Sequence, residues 1–421
     1  MAELTGAMGA PAYERVAYEG RQGLVGLLSK NFFLTLVTIG IYRFWAATRL
    51  RRYLWSNIRI GGDGLEYTGT GRELFLGFLV ALAVLAPLSI AYILAHRLSL
   101  GSPALALSIQ AVYFLSLFIF MQVALFRSRR YRLSRTTWRG IYASQTGSTW
   151  HYCGLFLGYG LLTVVTLGVA LPWMHVALAR YKLNNTCFGD RTMRIEAKGS
   201  DLFWRWLVVM AVIGIPLALA VLPNLSALLH PVYVDVPVAA KNGAAAAPPL
   251  KVLQMPHPAL LGIFPAIAAM LGVFALVWYR IEAFRYLASR ISLSTMRLHS
   301  DARGLQGVGQ LLLFGLGMFG IMFLVGLAFV IVVILTRALH VGQGFTPGTM
   351  ILTGVLVFVP VYIGMLWLMQ LVTYCWLWIP IIKHLATTLD IENFAAASAI
   401  AQSTQPRQKL GIADSFELGA F

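Results

Sequence analysis

Six uninterrupted apolar stretches of twenty residues or more constrain what this chain can fold into: about 74–96, 104–126, 203–229, 258–279, 308–336 and 349–382. A helix needs roughly 20 apolar residues to cross a hydrocarbon core of about 30 Å, and each stretch meets that length. Only 12% of the 421 residues are charged, about half the share of a soluble domain. The mean hydropathy is +0.73. A soluble enzyme, a disordered tail and a fibrous repeat are excluded, and a polytopic α-helical membrane protein remains.

The charge is as unevenly placed as it is scarce. Lys and Arg number 33 against 16 Asp and Glu, for a net charge of +17. All but Arg97, Lys241, Lys251 and Arg337 fall in one class of loop, which the positive-inside rule makes cytoplasmic. Because the basic residues hug span ends instead of forming a separate domain, nucleic acid is not an expected partner. Cys153, Cys187 and Cys375 are scattered without a CxxC pair, so no disulfide framework, zinc site or cofactor is expected. The first twenty residues are polar and partly acidic, unlike a signal peptide.

Two further apolar segments, 23–45 and 154–178, are interrupted. The first contains Ser29, Lys30 and Asn31; the second contains Gly154, Gly158, Gly160, Gly168 and Pro172. Parity decides their form. Loops 46–73, 127–152, 179–202 and 280–307 are all basic, with six arginines in 127–152 and five Lys or Arg in 179–202. A crossing by 154–178 would put one of its flanking loops outside. The segment is therefore expected to enter and leave on one face as a re-entrant helix–break–helix, and 23–45 to do the same. Broken backbone at that depth is tolerated where protein or water covers it. The alternative is an ordinary kinked span with one basic loop outside. Six spans with both termini cytoplasmic follow from the re-entrant reading.

The interrupted segments also match each other. LTLVTIGIYRFW at 34–45 and LTVVTLGVALPW at 162–173 share six of twelve positions. The match continues at the same offset, Arg52-Tyr53 with Arg180-Tyr181 and Asn57 with Asn185. This reads as an internal duplication. Arg-Tyr follows an apolar helix four times, at 52–53, 130–131, 180–181 and 285–286. Each pair leads through a short polar stretch to a glycine: Gly69, Gly147, Gly199 and Gly304. NIRI, GGDG and LEYTG read as strand, turn and strand, and 192–197 and 295–300 are near-copies with strand alternation. A weaker fifth copy is Thr388–Glu392. A lone hairpin is barely stable, so several are expected to pair into a cytoplasmic sheet beneath the helices. The chain divides into an N-terminal segment 1–22, a membrane domain 23–400 (units 23–126, 127–280 and a partial 281–400) and a tail 401–421.

KNFFLTLVTIGIYRFWAATRLRRYLWSN, LGYGLLTVVTLGVALPWMHVALARYKLNNTCFGD and the terminal GIADSFELGAF resemble the signature stretches of the YjgN-like family of bacterial inner-membrane proteins. The resemblance implies a bacterial cytoplasmic membrane location and supplies no activity. One departure is His175, after the Pro-Trp, where similar sequences carry an acidic residue.

Other patterns have plainer readings. GLGMFG at 315–320 matches GxGxxG but lies inside a span, where glycines let helices approach. The NLS at 224–226 and NNT at 184–186 are accidental in a bacterial membrane protein. Tryptophans near span ends form an interfacial belt, with Trp45 and Trp173 set apart by holding equivalent places at the ends of the broken segments. No GxSxG, HExxH or P-loop is present, and no Asp or Glu lies centrally in a span, so an enzyme is not expected. The Pro/Ala-rich loop 231–257 carries no expected site.

Paired broken helices at matching places point to a transporter or channel-like protein for a small solute. Its binding residues would be Thr38, Gly40, Trp45, Thr166, Gly168, Pro172, Trp173 and His175. The alternative is a structural or interaction protein of the bilayer whose basic cytoplasmic face binds anionic phospholipid headgroups or a protein partner. Arg49, Arg51, Arg52, Arg129, Arg130 and Arg180 would then contact headgroups, at about 1 kcal/mol each.

Overall fold

A computed structural model describes residues 13–20, 22–99, 101–230, 232–236, 250–253, 256–339, 356 and 359–402. His340, most of loop 231–257, the first part of the 349–382 stretch and most of the tail lie outside the described residues.

Six helices are long and apolar enough to cross a membrane: Gly71–Leu98, Pro103–Ser134, Gly199–Ala227, Pro258–Ala288, Gly304–Leu335 and Val359–Thr387. The shortest, at 28 residues, extends about 42 Å. In chain order the elements are α3 (Gly71–Leu98), α4 (Pro103–Ser134), α7 (Gly199–Val221), the short α8 (Leu225–Leu229), α9 (Pro258–Ala288), α10 (Gly304–Leu339), α11 (Val359–Val372) and α12 (Ile379–Thr387), the last two joined by a π-helical stretch Thr373–Trp378.

The interrupted segments are helical hairpins that turn back. The first is α1 (Leu24–Val37) and α2 (Arg43–Asn57); the second is α5 (Thr149–Val165) and α6 (Leu171–Asn184). The two turns share one geometry. Thr38 and Thr166 both have φ −89 and ψ 14. Ile39 and Leu167 have φ 50 and 51, and Gly40 and Gly168 have φ 87 and 92. The Gly40 N–H returns to the Thr35 carbonyl and the Gly168 N–H to the Thr163 carbonyl, each at 2.7 Å. This is a left-handed helix end with its orphan carbonyl satisfied. The Thr38 hydroxyl accepts from Tyr42 N–H at 2.9 Å, and the Thr166 hydroxyl from Ala170 N–H at 3.1 Å. One threonine thus starts the second helix of each hairpin. Ile39 and Leu167 are 94% and 87% exposed at the tips, as apolar side chains entering lipid should be.

Short strands occupy the other end of the helices, here called the strand face. Hairpins lie between α2 and α3 (β3 Ile58–Ile60, β4 Asp63–Gly64, β5 Glu66–Tyr67), α4 and α5 (β6 Thr136–Trp138, β7 Ile141–Gln145), and α6 and α7 (β8 Thr186–Phe188, β9 Arg191–Ile195). A separate hairpin, β10 (Tyr233–Val236) and β11 (Leu250–Leu253), lies between α8 and α9. β12 (Ile291–Leu293) and β13 (Met296–Ser300) join α9 to α10, and β14 (Leu389–Glu392) follows α12. Neighbouring hairpins pair edge to edge, β5 with β6, β7 with β8, β9 with β12 and β13 with β14, all antiparallel. The N-terminal segment then closes the circle. Its β1 (Tyr13–Arg15) pairs with β14, and its continuation β2 (Ala17–Tyr18) pairs with β3. β4 and β5 are halves of one strand on either side of Leu65, whose N–H goes to the Ile58 carbonyl. The sheet becomes a ring, which removes exposed edges.

Apolar side chains from every hairpin point into the ring, including Ile60, Trp138, Phe188, Met193, Leu293 and Ile391. They surround a wholly apolar cavity of about 220 Å³. The 3₁₀ turn Phe394–Ala399 covers it, adding Phe394 and Ala397. The chain then crosses to the far side of the ring. There Ala401 N–H donates to Asp190 Oδ1 (3.2 Å), Asp190 N–H to the Ala401 carbonyl (3.0 Å), and Tyr142 N–H to Gln402 Oε1 (3.1 Å).

Two fixed spacings tie strands to helices. Arg52 Nη2 donates to the Gly69 carbonyl (2.8 Å), Arg130 to that of Gly147 (2.5 Å) and Arg180 to that of Ala197 (2.5 Å), each 17 residues on. Trp45, Trp173 and Trp278 lie over Gly71, Gly199 and Gly304, each 26 residues on and each opening a span. The main core sits at this level, where Leu202 and Val209 of α7 meet Tyr279 of α9. Farther along, α10 is exposed at Leu316, Phe319 and Phe323, as lipid-facing helix should be.

A methyl group at Gly199 would come within 2.7 Å of Trp173 Cδ1 and 2.8 Å of Trp173 Cα. Gly199→Ala should therefore lower the melting temperature in detergent through a loss of about 1–3 kcal/mol. Adding Trp173→Ala should not restore it, because the obstructing Cα remains. Gly158→Ala, with open space at the same test, should leave melting unchanged or raise it slightly.

Candidate functional site

The first hairpin does not fill the space it encloses. Between α1, α2 and α11 lies a cavity of about 600 Å³, within the range of small-molecule sites. Leu28, Leu36, Leu50 and Leu366 supply its apolar wall. Above it, Trp367 of α11 donates its indole N–H to the Ser29 hydroxyl at 3.0 Å and lies 6.3 Å from the Phe33 ring, fixing α11 against α1.

Five polar side chains, Asn31, Thr35, Arg43, Gln370 and Tyr374, break the apolar lining, and three of them bear on binding. Asn31 is 4% exposed, and its Nδ2 donates to the Ala46 carbonyl at 3.4 Å. That bond orients the amide and leaves Oδ1 buried without a donor. Gln370 of α11 presents a second buried acceptor, Oε1, also without a partner. Arg43, at the start of α2 beside the tip, has its guanidinium 5.4 Å from the Phe44 ring centroid. No carboxylate pairs with it among the described residues. A cation near the tip of a hairpin that dips into lipid marks a functional position by default.

The second hairpin has the same turn, and its side chains and backbone are bonded to neighbouring helices. Its tip carbonyl, Gly168 O, accepts the Trp206 indole N–H at 2.8 Å. His175 Nδ1 lies 3.1 Å from the hydroxyl of Tyr279, which is itself 1% exposed. Pro172 is fully buried in the first turn of α6.

The expected binding residues therefore separate. Gly40 lines the cavity, and Thr38 builds the turn beside it. Trp45 and Trp173 pack on the glycines that open α3 and α7. Thr166, Gly168, Pro172 and His175 belong to the other hairpin, which packs on α4 and α7, whereas the first packs on α3 and α11. No residue of α5 or α6 lines the cavity, so the two tips do not share it. The sequence marks Asn31 only as a polar interruption of an apolar segment, and it gives no local signal for Arg43 or Gln370. Gln370 becomes meaningful only once α11 is placed beside α1.

The arginines expected at lipid headgroups are mostly engaged within the protein. Arg52, Arg130 and Arg180 hold the backbone carbonyls named above. Arg51 is 3% exposed and donates to the Tyr67 hydroxyl at 3.3 Å. Arg129 donates to Gln145 Oε1 (2.7 Å), Thr186 Oγ1 (3.1 Å) and the Lys182 carbonyl (3.3 Å). Arg49 is exposed, 5.3 Å from the Tyr42 ring centroid. Glu282 of α9 accepts from Arg285 (2.7 Å) and from Gly304 N–H (3.1 Å), and lies 3.5 Å from Arg205, so it is a structural carboxylate at the start of α10. Among the described residues no three His, Cys, Asp or Glu side chains gather as a metal site.

A family model described as a bacterial protein of unknown function, DUF898, matches residues 13–316. Among curated proteins, the inner membrane protein YjgN of Salmonella typhimurium is 37% identical over 54 residues, 13% of this chain and 14% of the relative. The proteins of the same name from Escherichia coli O157:H7 and K12 are 31% and 30% identical over 80 and 79 residues, 19% of this chain and 20% of each relative. The matched stretches thus span a fifth or less of these relatives' length. No solved structure matches the chain.

Thr38→Val keeps the shape of the turn but removes the acceptor for Tyr42 N–H. It should cost about 1–3 kcal/mol and speed hydrogen exchange at the Tyr42 amide, while the Ala170 amide in the other hairpin keeps its protection.

Proposed function

The chain belongs to the DUF898 family of bacterial proteins of unknown function, and from that premise we propose that it is an inner-membrane transport protein for a small solute. The observation that carries this reading is the 600 Å³ cavity beside the broken helix pair α1–α2, with Gly40 and Arg43 at its tip. Discontinuous helices at membrane depth are where transporters place their substrate sites. The matching hairpin α5–α6 supports an origin by duplication, and the strand face is read as cytoplasmic because most of the basic residues lie in its loops. On this reading both termini are cytoplasmic, the bilayer is the principal partner, and the protein performs no covalent chemistry.

A second reading has its own observation. Arg194 of β9 and Arg297 of β13 flank Ser292 across adjacent strands, and both are exposed. Such a basic row suits anionic headgroups or an acidic partner at the membrane surface.

Transport requires that the cavity be reached from both sides of the membrane in turn. Ala46→Cys, with the three native cysteines changed to serine, should react with a membrane-impermeant thiol reagent in both right-side-out and inverted vesicles. Reaction from one side only, or from neither, would remove the transport reading. Ser144→Cys and Thr192→Cys, both exposed on the strand face, should label only in inverted vesicles. Labelling of the pair on opposite sides would end the re-entrant topology.

A further inference from the structure

The two hairpins are an internal control for each other, since they share a turn and a register of 128 residues. Where the second has Met174 and His175, the first has Ala46 and Ala47. In the second, the Thr163 hydroxyl lies 3.8 Å from Met174 Sδ and His175 bonds Tyr279. In the first, the two alanines line open space. The polar groups differ in the same place, Asn31 standing opposite Tyr159 and Arg43 opposite Leu171. In one copy these positions carry side chains engaged with Thr163 and Tyr279, and in the other they carry alanines that line a cavity with two buried acceptors and a cation.

A buried acceptor without a donor costs about as much as a lost hydrogen bond. Asn31 Oδ1 and Gln370 Oε1 both stand in that condition, on residues that line the same cavity. Rotation of either amide toward the space would let an O–H or N–H of its occupant supply the missing donor. Apart from Thr35 and Tyr374 the rest of the wall is apolar, and it takes in Ile39 and Gly40 of the exposed tip. Arg43, exposed beside that tip, favours a negative group.

We propose that this cavity binds a single-chain anionic amphiphile with a hydroxyl or amide N–H close to its acid group. The acid faces Arg43, the donor satisfies Asn31 and Gln370, and the chain lies along Leu28 and Leu366. A purely apolar ligand would leave both acceptors unmet, and an amphiphilic cation would find no carboxylate. This names the class of solute for the transport reading and rests on it only for the claim that the solute moves; binding is measured separately.

The test uses full-length protein in nanodiscs with 3-hydroxydodecanoate as the hydroxyl probe and N-decanoylglycine as the amide probe. Dodecanoate, without the donor, and dodecyltrimethylammonium, with the opposite charge, are the comparisons. At least one donor-bearing acid should bind at least tenfold more tightly than dodecanoate, and the cation should not bind. Asn31→Leu should weaken the donor-bearing acid about tenfold and leave dodecanoate unchanged; Arg43→Gln should weaken both acids. Ala46→Met with Ala47→His, which imports the larger residues of the second hairpin, should abolish binding, and Met174→Ala should not affect it. Thermal melting establishes that each variant is folded, and Asn31→Leu decides the matter should the double variant not fold. Absence of binding by either donor-bearing acid to the wild type overturns the proposal. So does equal affinity of dodecanoate and both donor-bearing acids, or undiminished binding by folded Asn31→Leu. Binding without accessibility of residue 46 from both membrane sides upholds the site and removes transport alone.

Discussion

A peptide group in lipid has no water to turn to, and this protein is built around that fact. An unsatisfied N–H or C=O in the hydrocarbon core costs several kcal/mol, so backbone there must be helical or closed on itself. The six spans meet the condition by being helices. The two hairpins meet it at their turns, where Thr38 and Thr166 lend a hydroxyl to the next helix and Gly40 and Gly168 return their N–H groups to the helix just ended. Side chains with φ near 50 at Ile39 and Leu167 are the accompanying strain. At the strand face the same demand is met differently, by a sheet whose first and last strands are joined through β1 and β2.

The ring of strands and the circle of helices follow the same order, because each hairpin of the ring lies between the helices it connects. Chain-neighbouring membrane elements touch, and α1 returns to α11. The arginine at 17 residues and the tryptophan at 26 residues are the fasteners of this arrangement. A guanidinium donates to the backbone just before a span begins, and an indole covers the glycine with which it begins. Side chains suited to anionic headgroups thereby become part of the scaffold. The segment 394–402 completes it from below, covering the apolar interior of the ring and bonding to Asp190 and Tyr142 on the opposite side.

Against this regular background the cavity of the first hairpin stands out by what is missing from it. Small residues at 46 and 47 leave room, and Asn31 and Gln370 in its lining carry unmet acceptors. In the other hairpin the same two positions hold a methionine that approaches Thr163 and a histidine that bonds Tyr279.

Chain composition and apolar run length were enough to determine a polytopic membrane protein with six spans, because the thickness of a bilayer sets the length of any helix that crosses it. The basic loops on both sides of 154–178, and the glycines within it, were enough to foresee that it turns back. The Arg-Tyr and glycine spacings announced the strand hairpins. The sequence could not announce that these hairpins close into a ring, since closure depends on pairing Tyr13 with Glu392 across nearly the whole chain. Nor could it show that Arg52, Arg130 and Arg180 would be held by carbonyls, or that the two tips would lie against different helices. Above all, the placing of Asn31 and Gln370, 339 residues apart, in the lining of one cavity is a tertiary event. A local pattern shows which residues are polar, but whether a polar atom finds a partner is settled only when distant helices pack together.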